Sequence, residues 1–132
     1  LEFKFELSLD EENTHLQLKC MREIYDLGER SHHYLLLHLA RHRAEEAARG
    51  LDPKSQGWID NDRLIKDLGV EMSHINIMIF RARKQIAQCL EEPIDSEHLV
   101  ERGKGRMRFG CSEFRIYKGA QLTYHLPHSE PG

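Results

Sequence analysis

Tryptophan occurs once in this chain of 132 residues, cysteine three times and proline four times. The cysteines, Cys20, Cys89 and Cys111, are odd in number and far apart, which excludes a disulfide framework and fits a reducing compartment. No apolar run approaches the roughly 20 residues that cross a bilayer, and no charged-then-apolar leader is present, so no membrane partner is expected. These absences predict a soluble, cytoplasmic chain. A strong basic balance is lacking too: the formal net charge is -3, which argues against a generic polyanion binder. Enzyme signatures are equally scarce. There is no phosphate-cradling glycine loop, no recognisable pair of carboxylates and no Cys/His constellation, so neither catalysis nor a cofactor is expected. The chain opens on Leu-Glu, without methionine, directly into a strand-like pattern, which suggests a domain excised from a longer protein.

The charge that is present is unevenly spread. Residues 1–73 carry ten Lys/Arg against fifteen Asp/Glu, whereas residues 74–118 carry nine against six, so a basic surface is expected in the second half. The length suits one domain with a proper core. Along the chain, Phe3, Phe5, Leu7 and Leu9 alternate with polar residues, and Leu16 and Leu18 continue the alternation in HLQLKC. With REIYDLG these runs predict two or three antiparallel strands over residues 1–28. The period then changes. Tyr34 to Ala48 is a run of helix formers closed by Gly50, predicting a core helix with an apolar LLLHLA centre. His38 and His42 have the i, i+4 spacing of a metal-binding pair, but no third ligand accompanies them, so no metal is expected.

Trp58 and Ile59 suggest a short strand, and Asp60 or Asn61 a cap for a second helix through Leu64, Ile65 and Leu68. Gly69 ends that helix, and Ser73 is the expected cap of a third, VEMSHINIMIFRARKQIAQCL, from Val70 to Leu90. On a helical wheel Ile75, Ile79, Ala82, Ile86 and Cys89 form its core stripe, with Met72, Met78 and Leu90 at the edges. The opposite side carries Ser73, His74, Ile77, Phe80, Arg81, Lys84 and Gln88. Pro93 is expected to stop this helix, and Ile94 to Glu97 to connect it to HLVERGKGRMRFG. That segment predicts a hairpin about Gly103 and Gly105, decorated by Arg102, Lys104, Arg106 and Arg108. SEFRIYKG is expected to continue the sheet with Phe114 and Ile116 inward. Residues 119–132 have no clear period and read as a tail, packing locally through Leu122 and Tyr124.

A short helix, a glycine turn and a longer cationic helix form the helix-turn-helix layout. INIMIFRARKQI, Ile75 to Ile86, resembles the recognition-helix pattern of the OmpR/PhoB-type response-regulator effector domain, and HLVERGKGRMRFG stands where that family has its wing. The stretch LGERSHHYLLLHLARHRAEEAARGLDPKSQGWIDNDRLIKDLG with HINIMIFRARKQI also resembles the winged-helix region C-terminal in a group of bacterial forkhead-associated (FHA) domain proteins. The resemblance implies an α+β winged helix-turn-helix over residues 29–118, with the N-terminal sheet, three helices and a C-terminal hairpin wing. It implies a DNA-binding output domain of a bacterial regulatory protein, with residues 73–90 in the major groove of double-stranded DNA and residues 98–117 on the backbone or minor groove. By position, Ile77 and Arg81 fall where the response-regulator family touches base edges, and His74 near the head of the helix. Arg83 and Lys84 fall near its phosphate contacts. Met78 and Phe80 stand where that family has polar or cationic residues. The alternative expectation is a winged-helix interaction or dimerisation module anchored through Ile77 and Phe80.

Overall fold

The computed structural model describes residues 1–90 and 98–127. Alternation in the first twenty residues produces strands β1 (Glu2–Leu7) and β2 (Thr14–Cys20), joined by a polar turn and followed by β3 (Glu23–Glu29). They pair antiparallel, and the register sets Phe3 opposite Leu18 and Phe5 opposite Leu16. All four of these side chains are fully buried. The inward face is therefore apolar, while Glu2, Lys4 and Gln17 occupy the other side, as a period of two requires. Leu9 is an exception: it lies beyond the strand and is exposed.

Helix α1 (Ser31–Ala48) packs against β2 and buries Leu35, Leu36, Leu37, Leu39 and Ala40. After a loop come β4 (Ile59–Asp60), α2 (Asn61–Leu68) and α3 (Met72–Cys89). Gly69 takes a left-handed conformation (φ 66°) directly after α2, the turn that only glycine adopts without strain. Asp60 occupies the N-cap of α2 as expected, whereas Glu71 rather than Ser73 occupies that of α3; neither makes a side-chain cap bond, and Ser73 lies exposed inside the first turn of α3. The core stripe of α3 is Ile75, Met78, Ile79, Ala82 and Ile86, with Cys89 only partly covered. Met78 is apolar because it is core, not because a surface demands it.

Strands β5 (Val100–Gly103) and β6 (Arg106–Phe109) form the expected hairpin and join β4 in a three-stranded sheet, ordered β4-β6-β5. The chain then leaves the hairpin. β7 (Phe114–Lys118) runs parallel to β1, and β8 (Gln121–Leu126) pairs antiparallel with β7, giving a five-stranded sheet ordered β3-β2-β1-β7-β8. The first sheet is thus larger than the sequence suggests. Phe114 and Ile116 are inward as expected, but their strand belongs to the N-terminal sheet rather than to the hairpin, and residues 121–126 of the expected tail are an edge strand. Phe109 of the hairpin packs edge-on against Phe3, Phe5 and Phe114, with ring centroids 5.2, 6.0 and 5.5 Å away, so both sheets share one core. Pro93 and the 94–97 connection lie outside the described residues.

Candidate nucleic-acid interface

The outward side of α3 is built by the same periodicity that builds its core side. Ser73, His74, Ile77, Phe80, Arg81, Lys84 and Gln88 are all exposed, as the wheel predicts. Ile77 retains 46% and Phe80 65% of its surface in contact with solvent. Helix α3 contains no Asp or Glu, so nothing on the element itself offsets its cations. Among the described residues no carboxylate forms an ion pair with Arg81, Lys84, Lys104 or Arg106.

The hairpin is held against one flank of this helix by two arginines. Arg83, half-buried, donates from Nη2 to the Val100 carbonyl (3.1 Å), and Arg102 donates from Nη2 to Oδ1 of Asn76 (2.7 Å). Arg83 is therefore committed to the backbone of β5 rather than presented outward. Desolvation and the neighbouring Arg83 charge both lower the Arg102 pKa, so two guanidinium groups are crowded on this flank. Both remain cationic, since arginine does not lose its proton in proteins.

Pairing register divides the hairpin cations between its two faces. Arg102 lies opposite Met107 and turns toward α3, whereas Glu101 lies opposite Arg108, and Gly103 opposite Arg106, on the other face. Lys104 stands exposed at the tip. Arg106 is exposed and stacks on the Trp58 ring, 4.5 Å from its centroid. Arg108 is not a surface cation. It is 8% exposed, sits 4.8 Å from the Trp58 ring centroid, and bonds Glu101 and the carbonyls of Pro53, Lys54 and Gln56. Of the four hairpin cations, Arg102 thus flanks the outward side of α3, Lys104 stands at the tip, Arg106 lines the far face, and Arg108 fastens the 53–56 loop.

Two internal networks that the sequence did not reveal fix the orientation of these elements. Arg43 of α1, buried, donates to Oε1 of Gln56 and to the Phe109 and Cys111 carbonyls, tying α1 to the base of the hairpin. His32 and His33 both donate from Nε2 to Oε1 of Gln85, at 2.7 and 2.8 Å, and Gln85 Nε2 donates to the Leu27 carbonyl. One amide on α3 thereby joins α1 and β3. Burial lowers the pKa of both histidines, that of His33 to about 4. His38 and His42 do not converge: His38 faces Asp67 of α2 and His42 faces Glu46. Among the described residues no group of three or more His, Cys, Asp or Glu side chains is placed to hold a metal ion.

The described residues form an α+β domain of three helices and two sheets that displays a cationic helix face beside a cationic hairpin. Compared with protein-family models, curated protein sequences and solved structures, the chain matches none of them. No helix among the described residues is long and apolar enough to cross a membrane.

Proposed function

We propose that this chain is a winged helix-turn-helix output domain that binds double-stranded DNA, with α3 in the major groove and the β5–β6 hairpin as its wing. The observation that carries this reading is the exposed cationic outward face of α3, with Arg81 and Lys84 in no ion pair among the described residues, beside a hairpin latched to it by the 2.7 Å bond between Arg102 and Asn76. An α-helix fits the major groove of B-DNA, and cations at its flank neutralise phosphates. The three free thiols accord with a cytoplasmic, bacterial regulatory protein, and burial pushes Cys111 up to about 11, away from reactive thiolate chemistry. The reading requires no catalytic group.

Binding of short duplexes measured against salt tests it. Five exposed cations, Arg81, Lys84, Arg102, Lys104 and Arg106, give a log–log slope of roughly -4 if most of them meet phosphates. Lys84→Ala makes the slope shallower by about one. Absence of binding to any duplex at low salt rejects the reading.

The exposure of Ile77 and Phe80 favours a second reading, an interaction or dimerisation surface with an apolar anchor and a charged rim. Under it, Phe80→Glu abolishes self-association in sedimentation while Arg81→Ala leaves it intact. The reverse ranking eliminates that alternative.

A further inference from the structure

We infer that α3 reads thymine methyl groups, with guanine beside them, and this rests on the DNA-binding reading above. The inference follows from which base-edge chemistries the exposed helix face retains. In the major groove cytosine offers an N4 donor, which a carboxylate accepts, and α3 has no carboxylate. Adenine offers an acceptor and a donor side by side, which a side-chain amide reads with both of its ends. Two of the amides on α3 are already engaged. Asn76 Oδ1 accepts from Arg102, and Gln85 spends Oε1 on His32 and His33 and Nε2 on the Leu27 carbonyl. Gln88 is exposed but stands about three turns beyond Ile77, toward the far end of the helix.

What remains at the centre of the face is Arg81, a fork for the two acceptors of guanine, and the side chains of Ile77 and Phe80. Spacings of three and four residues place these three side by side. Thymine is the one base of the four whose major-groove edge carries an apolar group, the C5 methyl, and it matches two large apolar side chains left in solvent.

The test uses three short duplexes at low salt: repeated TTG·CAA steps, the same sequence with deoxyuridine replacing every thymidine, and a G·C-only duplex. Deoxyuridine keeps every hydrogen-bonding edge and loses only the methyl. The expected result is about fourfold weaker binding per contacted methyl removed, the transfer free energy of one buried carbon. The paired variant Ile77→Ala/Phe80→Ala, at exposed positions where folding is unaffected, binds both forms equally. Equal wild-type affinity for the thymidine and deoxyuridine duplexes, with salt-dependent binding retained, overturns the methyl inference and leaves DNA binding standing. The same discrimination in wild type and variant also overturns it, because the difference then belongs to the duplex. No binding to any of the three overturns both.

Discussion

A charge says nothing by itself about where a side chain ends, and the arginines of this chain divide on that point. Arg81 meets water, whereas Arg108 is enclosed by an indole, a carboxylate and three carbonyls. Arg108→Ala leaves those acceptors unmatched and is expected to lower unfolding free energy by about 3 kcal/mol in denaturant titration, while Arg81→Ala changes it by less than about 0.5 kcal/mol. Gly57 is constrained as tightly, since at φ 89° an added Cβ sits 2.7 Å from Arg43 Cβ. Gly57→Ala is expected to cost more than about 2 kcal/mol and to loosen the Arg43 network. His33 gives a pH signature. Its folded pKa, about 4, lies below the ordinary 6.5, so the unfolded chain binds the extra proton between those values. Stability is full above about pH 6.5 and declines as pH falls through 4, by at most about 3 kcal/mol from this group. His33→Leu, which leaves His32 on Gln85, should flatten that decline in melts recorded across the window.

Elements were legible where their pattern is local. Period-two alternation marks β1 and β2, the apolar run and Gly50 bound α1, and the 3.6-residue spacing of Ile75, Ile79, Ala82 and Ile86 fixes which side of α3 is buried. The outward members of the candidate site followed from the same spacing. Edge strand β8 escaped because Leu126 is its only buried residue, leaving almost no alternation to detect. Arg83 and Arg108 were misplaced because their acceptors are backbone carbonyls 17 and up to 55 residues away, which leave no mark in the sequence. The turn between α2 and α3 is readable and testable: Gly69 at φ 66° has open space around it, so Gly69→Ala costs backbone strain alone, about 1 kcal/mol by thermal melt. Asn76→Ala removes the link to Arg102 and should weaken duplex affinity a few-fold with little loss of stability, as read by paired binding and melting experiments.

At the level of the molecule, β1 and β7 form the decisive pairing, a parallel contact between strands more than a hundred residues apart. It brings the chain back from the hairpin to the first sheet and buries Phe109 among Phe3, Phe5 and Phe114. Removing residues from 119 onward bares the outer edge of β7 and uncovers part of the apolar face. Such a truncation is expected to lower the melting temperature and to promote aggregation, followed by light scattering. The lone indole of the chain gives this architecture a built-in optical reporter. Trp58 is gripped by one guanidinium that is buried and another that is free to leave for a phosphate, so departure of Arg106 alters the electrostatic field on the excited ring. Tryptophan emission should therefore shift, without any attached label, when the wing enters the minor groove beside the α3 site and Arg106 meets a phosphate there, and Arg106→Ala should silence the response.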